Sequence, residues 1–241
     1  GSSKNNIVLS TSGDTTIHSL NTGPLAGFRN QVINGNMMVN QRGESSYTSD
    51  AAAIRPYTVD RWKLYIVTND SDGTVEISTD VPANQGFSKS VKVTSAGTNS
   101  VALSQPIEAS PDSQSAGPFY EGSTWTLSMW MKLKNATDTD APFQARFATT
   151  VSGASADTAT VEQLNFDGSL VNTWQYATAT FTMPAFNAPD VGSDKPLWIN
   201  IGMGNNGQET TITGVQFEPG PVATPYEVIP IQTQVANCQR Y

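Results

Sequence analysis

Residues 123–133 read STWTLSMWMKL, and the fold turns on whether they form a strand. An extended chain points successive side chains to opposite faces. Trp125, Leu127, Met129 and Met131 then share one face, while Thr124, Thr126, Ser128, Trp130 and Lys132 share the other. The first set is a core face. The second is polar except for Trp130, an indole standing among hydroxyls and a lysine. Such a ring is either covered by another part of the assembly or is a surface on which a ligand rests.

Similar runs recur between turn signals: VINGNMMVNQ, DRWKLYIVT, GTVEIST, FSKSVKVTS, NSVALSQPIE, APFQARFATT, TVEQLNF, WQYATATFTM, PLWINIGM and TTITGVQFE. Together with 123–133 they make eleven candidate strands and leave hardly a helix-period segment, which predicts a two-sheet sandwich of about 200 residues. Asp72-Gly73, Asp167-Gly168 and Asn206-Gly207 are pairs that tolerate positive φ and mark tight bends. After Glu218 the segment PGPVATPYEVIP is too proline-rich for a central strand, and QTQVANCQRY begins a short helix. Ahead of the sandwich, residues 5–22 hold two short β-prone runs around Ser12-Gly13-Asp14, then break at Gly23-Pro24. The expected organisation is an N-terminal arm over 1–27, a β-sandwich over 28–230 and a C-terminal exit segment over 231–241. The opening Gly1-Ser2-Ser3 and the ending at CQRY suggest a piece of something longer.

Composition narrows the chemistry. A net charge of -8 with thirteen scattered basic residues argues against a nucleic-acid surface, which needs clustered Lys and Arg to neutralise phosphates. No apolar run approaches the ~20 residues a bilayer-spanning helix needs. Cys238 is the single cysteine, so neither an intrachain disulfide nor a multi-cysteine metal site is possible.

Several motif matches fail on context. Residues 202–207, GMGNNG, fit G-x-G-x-x-G, but a dinucleotide site needs a helix after the glycines and a strand follows instead. Asn69-Asp70-Ser71-Asp72-Gly73 resembles a calcium loop, yet Thr79 stands where its closing glutamate belongs. His18 is the single histidine and lies in the arm, which removes paired-histidine zinc sites and makes a Ser/His or Cys/His triad hard to assemble. Glu108, Glu121, Glu162, Glu209 and Glu218 sit at strand ends or in loops and read as solvated charges, not as a glycosidase pair.

Period-two counting on other strands adds to Trp130. In PLWINIGM the core face is Leu197, Ile199, Ile201 and Met203, with Trp198 and Asn200 opposite. Phe143, Ala145 and Phe147 point inward, leaving Gln144 and Arg146 outward, and Lys63 and Tyr65 face away from Trp62, Leu64 and Ile66. Trp62, Trp125 and Trp174 are assigned to the core or its lid. If the strands carrying Trp130, Trp198 and Tyr65 are neighbours, they form a platform of rings with Arg146, Asn200 and Gln144 beside it. Sugars stack apolar C–H faces on rings and need amide or guanidinium partners for their hydroxyls, so the set is a candidate glycan site. The competing reading is that a loop, the arm or a neighbouring subunit covers these rings.

FRNQVINGNMMVNQRG at 28–43, YTVDRW at 57–62, and VQFEPGPVATPYE leading into CQRY resemble a domain of bacteriophage tail fibre and tail appendage proteins, across essentially 28–241. In that family an R-N-x-x-I-N-G-N start is followed by Q-R-G, Y-x-x-D-R-W and an E-x-G-x-x-A-T-P-[FY]-E exit. More distantly, the I-N-G-N opening, LSQPIEASPD through FYEGSTWTLSMWMKL, NTWQYATATFTMP and TITGVQFE resemble the jelly-roll carbohydrate-binding modules of secreted glycosidases. That second resemblance implies an all-β, jelly-roll-like sandwich able to bind sugars. Such modules sometimes carry a structural calcium, but here Asn34 and Asn36 stand where acids often occur. Taken on their own chemistry, Asn34-Gly35-Asn36 bonds nearby backbone, Asp60 and Arg61 pair across a sheet end, and Arg42 reaches a carboxylate.

The resemblances imply a virion protein, a homotrimeric tail fibre or receptor-binding domain that adheres to host surface polysaccharide or lipopolysaccharide without catalysis. It would contact other tail proteins, need no cofactor and insert in no membrane. A purely structural connector of the fibre and a polysaccharide-degrading tail enzyme are the alternatives.

Overall fold

A computed structural model of the chain describes residues 7–9, 15–17, 29–49, 57–66, 73–95, 101–107, 118–136, 143–149, 159–186, 197–204 and 207–239. Strand β1 (Ile7–Leu9) pairs antiparallel with β2 (Thr15–Ile17), so the two β-prone runs of the arm form a small ladder of their own. His18 and the Asn69–Asp72 stretch lie outside the described residues.

The rest is two antiparallel sheets around one core, a jelly-roll-like β-sandwich. One sheet contains β3 (Ser46–Ser49), β5 (Gly73–Ser78), β6 (Ser90–Ser95), β8 (Thr124–Leu133), β11 (Trp174–Thr182) and β13 (Glu209–Pro219). Its order is β11-β8-β13-β6-β5-β3. The other contains β4 (Lys63–Ile66), β7 (Val101–Ile107), β9 (Gln144–Ala148), β10 (Ala159–Gln163) and β12 (Leu197–Gly202), in the order β10-β9-β12-β7-β4. Helix α1 (Ile231–Gln239) follows the proline-rich exit and buries Gln234 and Cys238, four residues apart on one face.

The quoted stretch is β8, and Trp125, Leu127, Met129, Met131 and Leu133 all point into the core. There the layers meet through rings: Phe217 of β13 lies 5.1 Å from Phe147 of β9 and 5.3 Å from Trp125. Burying each aromatic removes a large apolar area from water, roughly 150–250 Å2 per ring.

Two expectations about elements need correction, and one bend is found as expected. VINGNMMVNQ is a closed loop with no strand: Asn34 and Met37 both have φ of 58°. The Asn34 side chain staples the loop, its Oδ1 accepting from Val39 N and its Nδ2 donating to the carbonyls of Val39 and Asp60. Gly35 lies against the β13 backbone so tightly that a Cβ would fall 2.0 Å from the Val215 carbonyl oxygen. Strand β3 has no alternating apolar pattern beyond Tyr47 and joins through pairing with β5. The Asp167-Gly168 bend is made by the Asp167 carboxylate, which accepts from Ser169 N and Oγ.

The element that follows Gly207 is strand β13 and not a helix, in keeping with the failed dinucleotide context.

Candidate functional site

The residues that carry the tail-fibre resemblance converge on one seam. Arg29 Nε donates to Glu218 Oε2, and Arg29 Nη2 to the Pro225 carbonyl. Asn30 N donates to Glu227 Oε2, while its side chain bonds Val215 and Phe217 of β13. Thr224 donates to Glu218 from both its amide and its hydroxyl, and Glu227 N donates to Gln216 Oε1. The exit segment is thereby strapped across the outer face of β13. Trp62 Nε1 donates to the Asn34 carbonyl, tying the DRW motif to the same end.

Several expected pairings differ. Glu218 is buried at 1% exposure and is not a solvated charge, because Arg29, Gln216 and Thr224 surround it. Asp60 accepts from Gln41, Arg61 donates to the Pro106 carbonyl, and Arg42 donates to the Thr58 carbonyl in place of a carboxylate. The Asn34 amide is spent on the loop. Asn36 Oδ1 is buried without a partner, but no group of three His, Cys, Asp or Glu gathers among the described residues. These residues do not fit a calcium shell of six to eight oxygens.

Beside the seam the six-stranded sheet carries a groove of about 530 Å3. Trp130 of β8 and Tyr176 of β11 are registered neighbours, and their rings lie 5.4 Å apart. They form one wall. The other comes from Phe87 and from the strapped segment, with Tyr226 edge-on to Phe87 at 5.2 Å. A bulge in β13 between Thr213 and Gln216 opens the floor. Gly214 sits there at φ +64°, and any Cβ would lie 2.5 Å from the Phe87 ring. Gln85 and Thr224 supply polar groups to the lining. Burial raises the phenol pKa of Tyr176, and raises that of Tyr226 further, so both rings stay neutral at physiological pH.

The other predicted residues gather elsewhere. On the outer face of the five-stranded sheet, Asn200 is registered with Arg146 and Ser104, and Trp198 with Ala148 and Pro106. Gln144 and Tyr65 point to the same side. Ser104 Oγ donates to Asn200 Oδ1 over 2.6 Å. Trp198, Arg146 and Gln144 are half-buried, whereas Tyr65 and Asn200 are buried. Burial lowers the Arg146 pKa, partly offset by Tyr65.

The single platform imagined from parity is thus two surfaces on opposite faces, with Trp130 apart from Trp198, Tyr65, Arg146, Asn200 and Gln144. Trp62 and Trp125 are core residues as expected. Trp174 is not: it faces outward on β11, lies beside Lys132 and donates to Asp80. Period-two counting on WQYATATFTM would have placed Trp174 and Tyr176 outside, opposite Ala177, Ala179 and Phe181. Phe87 and Tyr226 come from irregular segments and carry no such signal.

The sequence matches no protein-family model and no curated protein. Among solved structures the chain is similar to the enzymatically active domain of tailspike protein 4 of bacteriophage CBA120, at 16% identity and a TM-score of 0.43. That match covers 82% of this chain and 22% of the tailspike chain, so the chain spans about a fifth of that protein's length. It is also similar to a xylan-binding domain from Paenibacillus barcinonensis, at 14% identity over 73% of this chain and 95% of that one, with a TM-score of 0.37. A carbohydrate-binding module solved with β-1,4-galactotriose matches at 10% identity over 80% and 99% of the two chains, with a TM-score of 0.38.

Proposed function

We propose that this chain is a glycan-binding domain of a phage tail fibre, and that its Trp130–Tyr176 groove holds a host surface saccharide without chemical change. One observation carries the glycan reading: two adjoining rings, 5.4 Å apart, wall a groove of about 530 Å3. That volume lies within the range of small-ligand sites. Sugar C–H faces pack on such rings, and Gln85 brings an amide to the lining that can bond hydroxyls. Among the described residues the lining holds no carboxylate, imidazole or thiol, which supports binding over catalysis. The tail-fibre context, the virion location and the homotrimer rest on the motif resemblance at 28–43, 57–62 and 215–227. Three tethered copies would add weak contacts through effective concentration.

A glycan array probed with the 241-residue chain tests the reading. Binding should be seen for a subset of surface polysaccharides and fall at least about tenfold in Trp130→Ala and Tyr176→Ala. Equal signals from these variants would reject the groove, and sedimentation as a monomer would reject the trimer.

The connector reading is favoured by one specific observation. The resemblance-carrying residues Arg29, Asn30, Asn34, Trp62, Glu218 and Glu227 are bonded to one another or to nearby backbone. A pure connector predicts a blank array.

A further inference from the structure

A row of alternating rings and cations crosses from one sheet to the other. Arg42 lies 5.7 Å from the Tyr47 ring and 5.5 Å from the Tyr57 ring. Lys63 Nζ is 4.3 Å from the Tyr57 ring and 5.5 Å from that of Trp198. Tyr57 is 43% exposed. Arg29, Lys92, Lys132 and Lys134 are matched to carboxylates, all of them on or beside the six-stranded sheet. Arg42 and Lys63 have no carboxylate within ion-pair distance among the described residues.

The row ends on a buried donor. Asn200 lies two residues beyond Trp198 on the same face of β12, about 6.6 Å along the strand. It is 6% exposed, its Oδ1 is fixed by Ser104, and its Nδ2 has no partner. A buried donor left unpaired is costly, and an acceptor oxygen brought to this face would relieve it.

We propose that this row, from Arg42 past Tyr57 and Lys63 to Trp198 and Asn200, is a second saccharide site that takes an anionic sugar. The sugar ring packs against Trp198 and its carboxylate or phosphate meets the Lys63 ammonium beside that ring, while Arg42 adds a second cation further along the row and the unpaired Asn200 amide lies beneath the face. Arg42 spends one N–H on the Thr58 carbonyl and keeps the remainder of its fork, and an ammonium over a ring keeps its donors for an anion. Among the described residues, the groove on the other sheet is lined by no such cations. The proposal shares with the groove reading only the ligand class, and the variants below separate the two.

The test is calorimetric titration of the whole chain with trigalacturonate, with glucose 1-phosphate and with the uncharged trimethyl ester of trigalacturonate. One or both anions should bind in the millimolar range, and the ester at least about fivefold more weakly. Binding of the uronate alone identifies a carboxylate site, and of the phosphate alone a phosphate site. Lys63→Gln and Trp198→Ala should each weaken the anion at least about fivefold, with Trp130→Ala without effect. Lys63 is half-buried at the surface, so its variant leaves the core intact. The proposal is overturned if neither anion binds at about 10 mM, if the ester binds as well as the acid, or if Lys63→Gln binds as the parent does. Loss of anion binding in Trp130→Ala alone would assign it to the groove and overturn the second site.

Discussion

Arg29 Nε lies 2.7 Å from Glu218 Oε2, with side chains 10% and 1% exposed, joining residues 189 apart in the chain. Removing one member of a buried, hydrogen-bonded ion pair leaves an uncompensated charge, typically at a cost of about 3–5 kcal/mol. Glu218→Ala should therefore lower the urea midpoint strongly. It should also free Thr224, and with it one wall of the groove. An Arg29→Met, Glu218→Leu pair should recover only part of the loss, because Gln216 and the Thr224 amide also donate to Glu218. Full recovery in the double variant would show that those donors contribute little.

Tyr176 is 41% exposed, and its hydroxyl makes a long 3.5 Å approach to the Thr224 carbonyl and interacts with Ser128. Tyr176→Phe should keep saccharide affinity within about twofold of the parent, because the ring and not the hydroxyl packs on Trp130. Tyr176→Ala should lose about 0.5–1.5 kcal/mol of ring-pair energy in stability while losing most of the binding. Urea curves and array signals for the two variants check both halves.

The architecture was legible because ten of the expected β-prone runs, bounded by turn signals, become strands β4 to β13. VINGNMMVNQ failed because its apolar residues serve a loop closed by the Asn34 amide, a side-chain bond that hydrophobic periodicity does not register. Parity placed Trp130 and Trp198 correctly relative to their own strands. It could not say that β8 and β12 belong to different sheets, since strand order depends on contacts between residues distant in sequence. The Glu218 environment was hidden for the same reason: its partner Arg29 lies at the other end of the sandwich sequence.

Gly35 and Gly214 should respond differently to alanine. At Gly35 the obstacle is a backbone carbonyl at 2.0 Å, which cannot turn aside, so Gly35→Ala should destabilise by at least about 3 kcal/mol or prevent folding. At Gly214 the obstacle is the edge of the Phe87 ring, which can swing away, leaving the left-handed backbone cost of about 1–2 kcal/mol. Gly214→Ala should thus stay folded but lose groove binding as Phe87 moves. Thermal melts rank the two, and a Gly214→Ala chain that still binds would remove Phe87 from the site.

Alkaline pH should unfold the protein through groups whose neutral forms are held inside. Burial pushes the Cys238 thiol from 9.0 up to about 12, with Asp60 adding to the rise and Arg61 opposing it. Burial also raises the phenols of Tyr226 and Tyr176 above their ordinary 10.0. In each case the folded chain keeps a proton that the unfolded chain has released, so stability is intact below pH 9 and falls as pH rises towards about 12. Lys92, raised chiefly by its hydrogen bond with Glu76, is lost in the same direction above its ordinary 10.5. Lys132, lowered by burial, works against the trend. Urea midpoints taken from pH 7 to 11 should decline from about pH 9 onward. Cys238→Ala should delay the onset towards pH 10, where the tyrosines begin to titrate in the unfolded chain. A parent midpoint that stays level through pH 11 would mean that Cys238 and Tyr226 reach water in the folded protein.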